Sequence, residues 1–148
     1  MKQFEIPMEQ YSITTMTPEH YDDAYQLWQT HEGIGLGRAD SRERIAGFLE
    51  RNRGLSFVAT LNDRIIGTVL GGHDGRRGFV YHLIVDSNYR SRGIGRALVG
   101  SCLEGFRRIG IEKSHVFVFK INESGVGFWS NIGYRLRDDL FIMSFDIQ

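Results

Sequence analysis

The sequence has few of the residues that constrain a chain covalently or give it a strong overall field. It contains one cysteine, Cys102, so no internal disulfide is possible, and we expect a core thiol in a reducing compartment. Lysine plus arginine total 18, and aspartate plus glutamate also total 18. A chain without net charge does not attract nucleic acid or an anionic membrane surface, so we predict neither as a partner.

Long apolar runs are also missing. No stretch approaches the roughly 20 residues that a membrane-spanning helix needs, and Glu5 and Pro7 interrupt the N-terminus where a signal peptide is apolar. At 148 residues the chain can bury one sizeable core without disulfides or metals. No Cys, His and acid spacing indicates a metal site. These features predict a cytoplasmic protein with a single domain, residues 1–148, and no metal.

Residues 79–98 carry the most distinctive pattern. Apolar, β-branched and aromatic residues at 79–85 predict a buried strand, and a polar turn follows. Apolar residues then recur every four positions, which predicts a helix; they are Ile94, Leu98, Cys102 and Phe106. Three arginines and two glycines in the turn would let backbone N–H groups approach an anion at the helix N-terminus.

Glycines before a helix also serve a tight turn or close helix packing, so this pair alone does not decide between structure and binding. The segment lacks the Gly-Lys-Ser/Thr ending of a P-loop, and no third glycine completes a dinucleotide fingerprint. A nucleotide-binding domain that uses the arginine turn for another phosphate ligand stays open at this point.

The spacing Arg-x-x-Gly-x-Gly, formed by Arg90, Gly93 and Gly95, resembles the acetyl-CoA-binding motif of the GNAT N-acetyltransferase superfamily. The resemblance implies that amides of residues 91–96 hold the coenzyme diphosphate, and that β-strand residues 83–85 pair with the pantetheine arm. The coenzyme-binding residues implied by this motif are Leu83, Ile84, Val85, Arg90, Ser91, Arg92, Gly93, Ile94, Gly95, Arg96 and Ala97. Many members have glycine at Ser91; serine keeps its N–H, so anion binding is retained if the position does not demand a positive φ.

A second stretch, residues 122–134, resembles the other GNAT signature. Asn122 and Gly133 also suit a helix cap and a helix stop. The implied coenzyme-binding residues are Asn122, Gly125, Phe128 and Trp129. Members often have tyrosine at Trp129 as the acid that protonates departing CoA, and indole cannot yield a proton near neutral pH. A thiol leaves tolerably without an acid, so we interpret Trp129 as packing surface for the pantetheine.

The remaining chain predicts the elements around these motifs. A strand at 11–16 precedes a helix that begins near Thr17 and Pro18, and a glycine-rich loop at 31–37 leads to a second helix capped by Asp40 or Ser41. By resemblance this loop overlies the acceptor site; alternatively, its Ile34 and Leu36 pack into the core. Predicted strands follow at 55–61 and 65–70, which form a hairpin, at 116–119, and as a closing pair within 135–147.

Acetyl transfer needs a deprotonated amine and a donor for the oxyanion on the carbonyl. A strand bulge would aim the backbone N–H of Ile84 or Leu83 at the thioester oxygen. The positions where some relatives carry a basic glutamate or tyrosine are Phe79 and Phe117 here. His82 and Tyr81 are therefore the candidate bases, although a strand histidine often has only a structural role.

The sequence is thus interpreted as a GNAT-type enzyme of α/β class. The resemblance implies a mixed, mostly antiparallel sheet of six to seven strands, splayed at its middle and flanked by about four helices. The expected activity is transfer of acetyl from acetyl-CoA to a primary amine of a small molecule, protein N-terminus or lysine, by a monomer or homodimer. The alternative is a non-catalytic acyl-CoA-binding or regulatory module, because the motif tyrosine and glutamate are missing.

Overall fold

A computed structural model of the chain describes residues 10–31 and 34–148. Two positions of the predicted glycine loop, Glu32 and Gly33, lie outside the described residues. The chain divides into two compact units, residues 1–117 and 118–148, which are described in turn. Among the described residues, no helix is long and apolar enough to span a membrane.

The first unit is built on a five-stranded mixed sheet. Its order follows the chain, with three antiparallel pairings and a final parallel one. The strands are β1 (Ser12–Thr15), β2 (Phe57–Leu61), β3 (Arg64–His73), β4 (Gly78–Val85) and β5 (Ser114–Val116). The predicted hairpin is confirmed: Asn62 and Asp63 both have positive φ, 50° and 62°, as a two-residue turn between twisted strands requires.

Helices cover both faces of this sheet. They are α1 (Tyr21–Gln29), α2 (Arg42–Arg51) and α3 (Ile94–Arg108). The predicted four-residue spacing on α3 is confirmed, because its four apolar residues are all buried. Cys102 is among them, and burial raises the pKa of its thiol to about 12.

A hydrophobic core joins α1 and α2 to the sheet. Trp28 is fully buried within it, together with Met16, which follows β1, and with residues of β2, β3 and β4. Ile34 and Leu36 pack against the same core, so the apolar residues of the glycine loop have the structural role that the sequence left open.

The second unit contains the helix α4 (Glu123–Asn131). It does not contain the two closing strands that the sequence predicts, so the predicted strand count is wrong. Residues 135–148 form neither helix nor strand, and their apolar side chains are exposed; Phe141 is 96% and Met143 92% exposed. The described chain therefore has five strands, not six to seven. The predicted strand at 116–119 begins and ends earlier, at Ser114 and Val116. An apolar sequence pattern indicates that the side chains suit a sheet. A strand forms only where its backbone can also pair with the edge of a neighbouring strand.

Candidate active site

A bulge interrupts β4 at the middle of the sheet. Thr68 pairs with Ile84 and Leu70 pairs with Tyr81, so two residues of β4 oppose one of β3. His82, at the bulge, has φ of 50°, which is unfavourable for a residue with a side chain. Such strain persists only where surrounding contacts hold it, and it is concentrated at functional sites.

Those contacts form a buried relay from α1 to the bulge. The indole Nε1 of Trp28 donates to Oγ1 of Thr68 at 2.8 Å, and Thr68 donates to the carbonyl oxygen of His82 at 2.9 Å. Trp28 and Thr68 are both fully buried. The threonine hydroxyl therefore uses both its donor and one acceptor site to fix the backbone of His82.

Beyond the bulge, one edge of β4 is open. β5 pairs with residues 78–80 of β4 and with no later residue of that strand. No described strand pairs with residues 81–85 on that side. The N–H of Asp86 donates toward β3, to Ile66. Because N–H groups alternate between the two edges of a strand, those of Leu83 and Val85 face the open edge. Of the two predicted oxyanion donors, this geometry favours Leu83 over Ile84.

The His82 side chain is paired with a buried carboxylate. Its Nε2 lies 2.6 Å from Oδ1 of Asp40, and the two side chains are only 13% and 11% exposed. The Trp28 ring packs edge-on against the imidazole, with centroids 4.7 Å apart. Among the described residues, Nδ1 of His82 has no hydrogen-bond partner. A carboxylate at Nε2 holds the ring proton there and leaves the Nδ1 lone pair available.

Asp40 is itself fixed by the loop between α1 and α2. Its Oδ2 accepts the N–H of Gly37 at 2.9 Å, and its carbonyl accepts the Tyr21 hydroxyl at 2.6 Å. Sequence reasoning left α2 to be capped by Asp40 or Ser41; the hydroxyl of Ser41 accepts the N–H of Arg44, so the serine is the cap. Asp40 was missed as a functional residue because its partner is 42 positions away.

The other candidate base, Tyr81, is half-buried on β4. Desolvation raises the pKa of its phenol above the ordinary value of 10.0. A phenol that stays protonated at neutral pH is a poor proton acceptor, which favours His82.

The turn after β4 presents a row of unused backbone donors. Within the described chain, none of the N–H groups of residues 91–96 donates a hydrogen bond. Gly93 caps α3 with φ of 81°, a conformation that glycine adopts without strain. Arg90, Arg92 and Arg96 are exposed around this turn. Free amides at the N-terminus of a 15-residue helix, flanked by guanidinium groups, suit a phosphate anion.

Ser91 adopts the left-handed region of backbone conformation. Its φ is 63°, so the condition stated for a serine at this position, a φ that need not be positive, is not met. The local reason is that the chain turns sharply between β4 and α3. Serine keeps the N–H and accepts backbone strain instead.

The second unit holds the residues of the other motif. Asn122 caps α4 by accepting the N–H of Gly125 at 3.0 Å, so the predicted cap is confirmed. Trp129 is buried, with ring centroids 5.3 Å from Phe128 and 4.9 Å from Tyr134. These contacts give Trp129 a packing role within its own unit.

Comparison with known proteins gives consistent results. The model of the acetyltransferase (GNAT) family matches residues 10–134. An acetyltransferase of Yersinia pestis (strain Pestoides F) is 28% identical over 130 residues, 88% of this chain and 92% of the relative.

Solved structures share the fold at lower identity. The PaiA N-acetyltransferase of Thermoplasma acidophilum, in complex with coenzyme A, has a TM-score of 0.77 at 16% identity, covering 87% of this chain and 92% of that one. An aminoglycoside acetyltransferase from an uncultured soil metagenomic sample has a TM-score of 0.74 at 17% identity, covering 97% and 100%.

Proposed function

The chain belongs to the acetyltransferase (GNAT) family, and on that premise we propose which of its residues carry out each step of acetyl-CoA-dependent N-acetyl transfer. Acetyl-CoA supplies the acetyl group as a thioester, which a primary amine attacks directly. The chain must bind the coenzyme, provide a donor for the carbonyl oxygen, and accept a proton from the amine.

The coenzyme is held by the turn before α3 and the open edge of β4. Free amides of residues 91–96, with Arg90, Arg92 and Arg96, bind the diphosphate, and the N–H groups of Leu83 and Val85 pair with the pantetheine arm. Unused donors at an exposed helix N-terminus support this assignment. The remaining proposed contacts are Ile84, Ile94, Ala97, Asn122, Gly125, Phe128 and Trp129.

His82 accepts the proton that the acceptor amine loses, and Asp40 positions it. The observation that carries this proposal is the 2.6 Å contact between Nε2 of His82 and Oδ1 of Asp40. It leaves Nδ1 as the basic nitrogen, one residue before the proposed oxyanion donor Leu83. Loss of a positioned general base typically costs about 10²–10⁴ in rate.

The test is a set of pH–rate profiles with released CoA as the signal. His82→Ala should lower kcat about 100-fold and remove the acidic limb of the profile. The control is His20→Ala, since Nδ1 of His20 accepts a local N–H from Thr17, outside this site. An unchanged kcat and acidic limb in His82→Ala would remove His82 from the reaction.

Asp40→Asn tests positioning separately from bulk structure. The asparagine oxygen can keep the Gly37 N–H, so its NH₂ would face Nε2 and drive the ring proton to Nδ1. We expect kcat to fall about 100-fold, by analogy with the wrong-tautomer effect in serine proteases, with the coenzyme affinity unchanged. Ring ¹⁵N NMR should report the tautomer change independently of activity. An unchanged tautomer would contradict the positioning role.

The acceptor is a small-molecule amine or a peptide amine. Two fold neighbours are named as PaiA and aminoglycoside acetyltransferases, and near-zero net charge argues against nucleic acid. The family match runs through both units, so we propose one acetyltransferase domain, as a monomer or homodimer in the cytoplasm. An amine panel that detects released CoA tests this; thermal stabilisation by acetyl-CoA without release from any amine would favour a non-catalytic module.

A further inference from the structure

Five aromatic rings form a continuous surface beside the bulge. Phe48 on α2 contacts Tyr81 on β4, with centroids 6.2 Å apart. Tyr81 stacks on Phe79 at 6.3 Å with an interplanar angle of 15°. Phe79 then contacts His115 at 5.7 Å and Phe117 at 6.1 Å. We call Phe48, Phe79, Tyr81, His115 and Phe117 the aromatic surface.

This surface adjoins the proposed base. Tyr81 immediately precedes His82 in β4, and Phe48 and Tyr81 pack against the same core cluster as Trp28, whose ring contacts His82. Phe117 remains 55% exposed, and the other four rings are half-buried. A molecule that lies on the rings therefore extends toward the site where the amine must lose its proton.

The chemistry of the surface selects its occupant. None of its five members carries a carboxylate, and burial raises the pKa of Tyr81, so the phenol is neutral at physiological pH. The nearby Asp40 carboxylate is already engaged with His82. A ring face can attract one ammonium group, but the several charges of a polycation would find no carboxylate among these five residues. A flat apolar group would bury area against the rings and stack edge or face.

We propose that the aromatic surface binds the body of the acceptor, and that the preferred acceptor is a primary amine carried on an aromatic group. This inference rests on the proposed function of the His82 site. It predicts that aromatic amines have lower KM values than alkyl amines of similar reach, and that polycations are poor acceptors.

The experiment compares 2-phenylethylamine, n-butylamine, spermidine and kanamycin as acceptors for wild type and Phe117→Ala. Wild type should show a KM for phenylethylamine about tenfold below that of butylamine, because the phenyl ring both buries apolar area and stacks against the rings of the surface. Phe117→Ala should raise the phenylethylamine KM about fivefold and raise the butylamine KM by much less, because the alkyl chain loses apolar contact but no ring stacking. The control is Ile109→Ala, a comparably exposed apolar residue (52%) at the end of α3.

Binding of phenylethylamine to the free protein, measured by calorimetry, provides a readout apart from turnover and should weaken in Phe117→Ala alone. Preference for spermidine or kanamycin, or equal effects of Phe117→Ala on both monoamines, would overturn the inference while leaving acetyl transfer intact. No CoA release from any amine would instead overturn the proposed function. A dimer that Phe117→Ala converts to monomer would assign the surface to a second copy of the chain and also overturn the inference.

Discussion

A guanidinium nitrogen of Arg90, Nη2, lies 2.6 Å from Nε2 of His31, which joins the proposed coenzyme turn to the end of α1. The other ring nitrogen of His31 faces Thr30 Oγ1 at 2.9 Å, and that hydroxyl donates to the carbonyl of Leu27. Arg90 can only donate, so Nε2 accepts and the neutral ring carries its proton on Nδ1. His31 thus holds a cation of the coenzyme turn only while it is uncharged.

This contact predicts a pH dependence of stability. Burial, followed by the Arg90 charge, lowers the pKa of His31 below its ordinary value of 6.5. For a histidine with a depressed folded-state pKa, the stability contribution is present above the unfolded pKa and is lost as pH falls through the folded value. Wild type should therefore lose stability below about pH 6.5, and His31→Gln should flatten that part of the curve.

Urea unfolding between pH 4.5 and 8 measures this effect, with His20→Gln as the control for loss of an unrelated imidazole. The same slope in His31→Gln and wild type would show that another group titrates.

Strain at Ser91 predicts a stabilising substitution. Its φ of 63° costs a side-chain-bearing residue about 1–2 kcal/mol, against about 0.5–1 kcal/mol of extra chain entropy that glycine loses on folding. Ser91→Gly should therefore raise the free energy of unfolding by about 0.5–1 kcal/mol. The amide stays in place, so acetyl-CoA affinity should change less than twofold.

Ser87→Gly supplies the matched control, since Ser87 does not have positive φ and begins a short 3-10 turn. It should lower stability by about 0.5–1 kcal/mol. Calorimetric melting of the two variants measures these opposite changes in stability. Destabilisation of the same size by both would show that the left-handed conformation at Ser91 is not strained.

The residues that sequence reasoning placed correctly are those with local signals. The Asn62-Asp63 turn, the apolar spacing on α3 and the Asn122 cap each depend on residues within a few positions of one another. The resemblance itself rests on Arg90, Gly93 and Gly95, which are equally local. The family could be predicted from these short patterns because the residues that form the turn lie close together in the sequence.

The misplaced features depend on distant partners or on backbone angles. Asp40 meets His82 across 42 positions, and no spacing rule brings a loop carboxylate to a strand histidine. The two closing strands predicted within 135–147 do not form, and strand formation requires a partner edge that a sequence pattern does not specify. The φ of Ser91 was left open, because serine seldom adopts positive φ and only the tight path from β4 to α3 imposes it here.

Gly71 on β3 predicts a severe packing defect. A β-carbon there would lie 2.5 Å from the carbonyl oxygen of Leu55 and 2.5 Å from Sγ of Cys102. A backbone oxygen cannot move aside without shifting its segment, so Gly71→Ala should cost about 3 kcal/mol of unfolding free energy. Gly100→Ala on α3 has open space around the new methyl group and should gain about 0.5–1 kcal/mol from helix propensity.

Urea unfolding compares these two alanine variants, and thiol labelling at pH 8 gives a second signal. Burial raises the pKa of Cys102 to about 12, so labelling requires opening of the core and should accelerate only in Gly71→Ala. Stability of Gly71→Ala equal to wild type would show that β3 and α3 can separate freely, contrary to the packing described.

The relay from Trp28 through Thr68 to His82 links stability to catalysis. Thr68→Val removes the hydroxyl from a fully buried position and leaves the Trp28 indole N–H without its acceptor. An unsatisfied buried donor costs about 1–3 kcal/mol, so we expect a loss of about 2 kcal/mol. The carbonyl of His82 also loses its donor, which frees the bulge, so kcat should fall about tenfold beyond the loss in folded protein.

The same substitution at Thr60, on the adjacent strand β2 and half-buried, should change stability by less than about 0.5 kcal/mol. Urea unfolding, kcat per folded molecule and the His82 ring ¹⁵N shifts then separate the two effects. A Thr68→Val variant that loses stability but keeps both kcat and the ring shifts would mean that the relay supports only the core. Loss of all three would show that the strained backbone of His82 is maintained for the position of its imidazole.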